Sequence, residues 1–199
     1  MSLQLLYPVS NYDDFLSREN GDDGICFGIS LNWIIKLINS DGANVLPPDS
    51  DIELKESTLF QREIYNRHSG ILDKDRLKWA GKKIKDSFHG IKYKIKGNNI
   101  GLLEFDSCEK SKAKLKSYVS GKTEDTACLL LFDDSPMSGH AVAVFRYSKY
   151  NKVYFYDPNF GVYIWRGEDK DVYNDIRDHL LKSLKKKYIL SAGLFIKSK

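Results

Sequence analysis

The chain reads as an α+β protein with an antiparallel sheet, built as one domain over residues 1–199. Three observations predict this. Apolar residues recur at helical spacing in the first half, from Cys26 to Ile38 and across roughly 52–68 and 73–88. The second half carries strand-like apolar runs at 127–132, 140–147 and 152–157, then one more helical stretch near 169–186. Helices grouped ahead of strands are the order of an α+β fold. A composition of 42% hydrophobic and 29% charged residues supports an ordinary core rather than a disordered chain.

Residues 1–19 are expected to form a peripheral N-terminal segment, with the apolar run Leu5-Leu6-Tyr7 and a short helix near 11–16. Asn20-Gly21-Asp22-Asp23-Gly24 is a glycine-rich turn leading into a helix that starts at Cys26. Ile29, Trp33, Ile34, Leu37 and Ile38 form its buried stripe, and Gly42 suits the left-handed position beyond its end. Ile91 to Lys96 alternates strictly, as a half-buried edge strand guarded by lysines does. Residues 102–105 read as a weak strand and 106–120 as a lysine-rich helix. Ala127 to Phe132 reads as a central strand with Cys128 in the core, followed by a polar loop over 133–139. Residues 188–196 close the sheet.

Several functional classes are excluded or disfavoured. No apolar run is long enough to span a membrane, and the N-terminus lacks the basic start and apolar segment of a signal peptide. Ser2 stands where myristoylation requires glycine. Three cysteines without a Cys-x-x-Cys pair fit neither a disulfide framework nor a zinc site. Gly121-Lys122-Thr123 ends like a phosphate loop, but Lys116 occupies the earlier glycine position. No aromatic-plus-basic pattern of a nucleic-acid module is present. His68, His89 and His179 read as structural or solvated, Cys108 as an exposed thiol, and the lysines at 182, 185, 186 and 187 as a solvated final turn. The net charge of +4 is uneven: residues 1–75 carry 13 acidic and 6 basic side chains, net −7, which fits either solvated helix faces of random sign or a surface that steers a cationic partner.

Cys26 alone fits two readings, a small core residue or a thiolate favoured by the positive end of a helix. The two runs after Gly139 bear on the choice. A two-residue loop pairs positions summing to 297 and sets His140 opposite Asp157; a four-residue loop pairs positions summing to 299 and leaves Asp157 one diagonal away. Both registers put His140 and Asp157 on the face of Val142, Val144, Val153 and Phe155. Directly opposite Cβ atoms lie about 4.5–5.5 Å apart and diagonal ones about 7–8 Å. A carboxylate on one imidazole nitrogen fixes the tautomer and leaves the other to exchange a proton with sulfur. The three residues together therefore describe a nucleophile, its base and acid, and an orienting carboxylate.

Gly24-x-Cys26-x-Gly28-x-Ser30-x-x-Trp33, then Gly139-His140-Ala141-Val142, then Tyr156-Asp157-Pro158-Asn159-Phe160-Gly161 resemble the YopT/AvrPphB-type cysteine proteases, the Yersinia/Haemophilus virulence surface antigen family. The resemblance runs from about residue 20 to the C-terminus, with 114 residues from Cys26 to His140 and 17 from His140 to Asp157. It implies a papain-like fold, in which a helical lobe bearing the nucleophile packs on an antiparallel sheet. It implies Cys26 as nucleophile, His140 as general base and acid, and Asp157 as the residue orienting the histidine. An oxyanion hole is expected from the Cys26 backbone N–H and an upstream amide, for which Asn20 is the candidate, since ionised Asp22 and Asp23 only accept hydrogen bonds.

The resemblance further implies a bacterial effector exported into the host cytoplasm that cleaves a host protein. Small GTPases with prenylated, polybasic tails and a kinase are substrates within the family. No metal or organic cofactor and no nucleic acid is implied. Membrane contact arises only through the substrate, and the monomer is the expected state. The same triad serves transglutaminases, deamidases and acyltransferases, because all pass through a thioester. A further alternative is an inactive papain-fold binding module.

Overall fold

The computed structural model describes residues 3–9, 25–68, 73–87, 93–94, 113, 115–117, 124–135, 138–166, 172–184 and 189–198. The expected helix at 11–16, the glycine-rich turn with Asn20, the strand at 102–105, His89, Cys108 and the lysines at 185–187 lie outside these residues. So does most of the lysine-rich helix, of which Ala113 and Leu115–Ser117 are described as helical.

Among the described residues, seven strands form one antiparallel sheet: β1 (Leu3–Pro8), β2 (Tyr93–Lys94), β3 (Thr126–Ser135), β4 (Ser138–Tyr147), β5 (Lys152–Asp157), β6 (Gly161–Trp165) and β7 (Ile189–Ser198). Their order is β1-β6-β5-β4-β3-β7-β2. Three helices, α1 (Cys26–Asn39), α2 (Asp51–His68) and α3 (Asp73–Asp86), precede the main strands, and α4 (Val172–Leu184) comes before β7. This is the mixed helix and antiparallel-sheet architecture expected from the sequence.

Three strand assignments differ from the sequence reading, which has no strand at 161–165. The stretch 133–139, expected as a polar loop, continues β3 to Ser135 and starts β4 at Ser138, because Asp133 pairs with Gly139 and Ser135 with Ser138. Cross-strand hydrogen bonding does not need apolar side chains, so a polar hairpin end carries no periodic signal. Strand β6 follows β5 after a three-residue turn and pairs with it from Asp157/Gly161 to Val153/Trp165. The opening residues, expected as a peripheral segment, supply edge strand β1 against β6. Lys94 lies on the opposite edge strand, β2, beside β7.

Period-2 alternation gives the sheet two apolar faces. Ala127 and Leu129 of β3, Ala143 and Phe145 of β4, and Tyr156 of β5 pack with α1, α2 and α3. Cys128, Leu130, Val142, Val144 and Phe155 point the other way and pack with Val172, Tyr173, Ile176 and Leu180 of α4. The sheet is therefore sandwiched, with the helical lobe on one face and α4 on the other.

Helix α1 is buried almost all round because it is wedged between the sheet and α2. Trp33 is fully buried, donates its indole N–H to the Val45 carbonyl at 3.1 Å and stacks on Tyr156 with ring centroids 5.2 Å apart. The helix ends in a Schellman motif: Gly42 N–H bonds Leu37 O at 2.8 Å and Asp41 N–H bonds Ile38 O at 3.2 Å. Asp41 takes the first left-handed position (φ 51°), and Gly42 follows at φ 80° with Phe145 against its Cα. Helix α2 opens with a capping box in which Ser50 and Glu53 bond each other's backbone N–H. Glu53 also pairs with Lys36 of α1 at 2.6 Å, which joins the two helices.

Candidate active site

The β4–β5 hairpin takes the four-residue register: Tyr147 pairs with Lys152, Val144 with Phe155 and Ala143 with Tyr156. Two features select it. Asn151 adopts a left-handed conformation (φ 48°, ψ 43°), and buried Asp125 accepts both the Ser148 N–H (2.7 Å) and hydroxyl (2.6 Å). The β4–β5 pairing ends at Ala143/Tyr156, whereas His140 stays paired to Phe132 of β3 and Asp157 to Gly161 of β6. The strands thus part at this end, and the His140 ring and the Asp157 carboxylate meet across the gap. Nε2 of His140 lies 3.0 Å from Oδ1 of Asp157.

Cys26 reaches the same ring from the helical lobe. It sits in the first turn of α1, whose backbone approaches the start of β4: the Ser30 hydroxyl donates to the Ala141 carbonyl at 3.1 Å. Since Asp157 holds Nε2, the hydrogen bond between His140 and the Cys26 sulfur uses Nδ1. The sulfur also accepts from the backbone N–H groups of Ala141 and Phe27. Gly28, two residues on, donates its N–H to buried Gln61 Oε1 at 2.9 Å, satisfying one of the amides a helix start leaves unpaired.

The electrostatics follow from these contacts. Burial works against charge on all three groups, raising Cys26 and Asp157 and lowering His140. The hydrogen bonds and opposite charges outweigh it. His140 is pushed up to about 10 by Asp157 and the Cys26 sulfur, and Asp157 is held at about 2 by His140 and His179. The Cys26 thiol is lowered, chiefly by His140. These directions favour a thiolate–imidazolium pair beside a carboxylate, a pair that would be lost as pH rises through the His140 value or falls far enough to protonate sulfur. Iodoacetamide should therefore label Cys26 near pH 6 at least about tenfold faster than a free thiol, which is less than 1% ionised there. Labelling of Cys26 at the free-thiol rate would mean the pair is neutral.

One site residue differs from its sequence reading. His179, expected as structural or solvated, is buried on α4 with Nε2 3.0 Å from Oδ2 of Asp157. The signal was available: position 179 follows Ile176 by three and Val172 by seven, on the apolar stripe of α4. Among the described residues, no group of His, Cys, Asp and Glu side chains is arranged to hold a metal ion.

The family model for Yersinia/Haemophilus virulence surface antigen, a family of cysteine peptidases, matches residues 9–192. The chain belongs to this family. No curated protein matches this peptidase in sequence. Its fold is similar to that of the Pseudomonas avirulence protein AvrPphB, whose crystal structure aligns at a TM-score of 0.54 with 15% identity, covering 98% of this chain and 96% of that one. The papain-like expectation for the peptidase fold stands on that likeness. Among the described residues, no helix is long and apolar enough to cross a membrane.

Proposed function

We propose that this cysteine peptidase cuts a host protein as a bacterial effector, using Cys26, His140 and Asp157 as its catalytic triad. The buried chain of contacts from the Cys26 sulfur through His140 to Asp157 is the observation that carries the reading. In the reaction, the Cys26 thiolate adds to the scissile carbonyl carbon and its oxygen becomes an oxyanion. The carbon–nitrogen bond then breaks as His140 Nδ1 gives its proton to the departing amine, leaving a thioester on Cys26. Water attacks that carbonyl while Nδ1 takes a proton; the carbon–sulfur bond breaks, releasing the acid and restoring the thiolate. Asp157 holds Nε2–H throughout, so Nδ1 always faces sulfur. The Cys26 backbone N–H and the Asn20 side chain are the proposed oxyanion donors.

The acidic first third, net −7 over residues 1–75, favours a basic target segment such as the polybasic tail of a small GTPase over an acidic one. The test is to incubate host lysate with wild type and with Cys26→Ala and compare peptides by mass spectrometry. New protein termini that appear only with wild type are expected. A gain of about one mass unit at glutamine would instead indicate deamidation, and an adduct would indicate acyl transfer; either would overturn the endopeptidase reading.

A further inference from the structure

Asp157 is fully buried, and three donors surround its carboxylate. Oδ1 takes His140 Nε2 at 3.0 Å and the Asn159 backbone N–H at 3.0 Å. Oδ2 takes His179 Nε2 at 3.0 Å. His179 is held from the far side of the sheet by α4, and its ring meets Phe155, Phe160 and Tyr163 edge to face at centroid distances of 5.3, 5.7 and 4.8 Å. Its Nδ1 lies 3.5 Å from the Ser183 hydroxyl one turn along the helix. This aromatic collar limits the ring to a narrow range of orientations, with Nε2 aimed at the carboxylate.

We propose that His179 is a positioning residue of the protease reaction: by donating Nε2–H to Asp157 Oδ2 it keeps that carboxylate a pure acceptor, which fixes His140 with Nδ1 toward Cys26. The proposal rests on the triad reading above. A histidine paired through Nε2–H donates whether the ring is neutral or charged, so the contact persists across the working pH range. Without it, Oδ2 sits among aromatic rings with no donor, and protonating the carboxylate relieves the cost. A protonated Asp157 donates to His140 Nε2, leaving the proton on Nδ1, where it cannot accept one from the thiol. Positive charge on His140 then loses its support, and Cys26 reverts toward a neutral thiol. Among the described residues, the other titratable groups facing this cluster are Cys26 on α1, His140 on β4 and Tyr163 on β6, whose hydroxyl is raised to about 12 by burial and by the Asp157 charge. Tyr163 is thus neutral throughout the acid range, where the effect is read.

The experiment is the rate of Cys26 alkylation by iodoacetamide from about pH 4 to pH 9 on the full chain, with the labelled site identified by peptide mapping and folding checked by circular dichroism. His179→Leu removes the donor and keeps apolar bulk; His179→Gln keeps an N–H at similar reach. For His179→Leu the acid limb should move up by about one pH unit, cutting the rate by roughly tenfold at pH values below the wild-type limb. His179→Gln should stay within about twofold of wild type on the same scale. Should His179→Leu fail to fold, His179→Met replaces it with the same expectation. A folded donor-less variant with the wild-type profile overturns the proposal, because a merely structural histidine alters melting without moving the limb. Asp157→Ala is the control that separates the two readings. If it too keeps the wild-type profile, or if wild type shows no fast labelling in acid, the triad reading falls rather than the role of His179 alone.

Discussion

Replacing Cys26 by alanine should abolish cleavage, and replacing His140 by alanine should do nearly the same, with losses of roughly 10⁴-fold or more in kcat and folding unchanged. Cys26 supplies the only sulfur in contact with His140 among the described residues, so no other side chain there can form the thioester. In the proposed reaction His140 supplies the proton that the leaving amine needs, and its ring is held in place from both ends. Cys26→Ala should cost little stability, since it removes one atom from a partly exposed site and leaves α1 with its best helix former. Asp157→Ala should lower kcat by roughly 10²-fold or more without reaching zero, because His140 remains but loses its fixed tautomer. It should also lower the melting temperature, as it leaves His140 and His179 without their shared acceptor. The double variant Cys26→Ala with Asp157→Ala should be no less active than Cys26→Ala alone, since the two act in one step. Turnover retained by Cys26→Ala on a substrate cut by wild type would sink the mechanism.

The second large effect is expected at Gly28, two residues into the same helix. A Cβ there would lie 2.0 Å from the Ser57 carbonyl oxygen and 3.1 Å from the Gln61 nitrogen, both backbone atoms of α2. Backbone of a packed helix cannot rotate aside as a side chain does, so Gly28→Ala must drive α1 and α2 apart. That separation breaks the Gly28 to Gln61 hydrogen bond and strains the Asn32 contacts to Glu53 O and Ser57 Oγ. Overpacking of this kind costs about 3 kcal/mol, which for a chain of this size lowers the melting temperature by roughly 6–12 °C. Because Cys26 sits two residues away in the same turn, the fast alkylation in acid should also fall. A melting temperature within about 2 °C of wild type would show that the helix pair yields without cost.

How legible the site was in the sequence differs from residue to residue. Cys26, His140 and Asp157 could be found because two of them lie on one hairpin, where period-2 geometry converts sequence spacing into a shared face. The arithmetic left two registers open, and turn chemistry at Asn151 and Asp125 chose between them. The choice affects the chemistry. In the four-residue register Asp157 is diagonal to His140, and the two meet only because β4 and β5 separate at their ends. Asp157 also does two jobs at once. Its Oδ1 accepts the Asn159 N–H in the Asp-Pro turn and the His140 ring at once, so the turn residue and the site residue are the same carboxylate.

His179 was less legible because its meaning depends on a partner 22 residues away on another element. The sequence reading left it structural or solvated, and even the apolar stripe it shares with Val172 and Ile176 does not say what polar group it will meet. Gly28, Ser30 and Trp33 were likewise visible as a pattern around Cys26 while their reasons were not. Those reasons are the close approach of α2, the bond to Ala141 O, and the stack on Tyr156.

The sequence by itself determined the main helices and the core strands β3, β4, β5 and β7, the antiparallel α+β class, the helix beginning at Cys26 and the shared face of His140 and Asp157. These follow from local periodicity and turn chemistry, which are properties of neighbours along the chain. Only the tertiary structure decided the two-sided character of the site. The proposed nucleophile, Cys26, arrives on α1 from one face of the sheet, while the Asp157 carboxylate is held on the other by His179 of α4. The physical reason is that the cost of burying Asp157 is offset by donors from separate layers, and no spacing along the chain encodes which layers will meet.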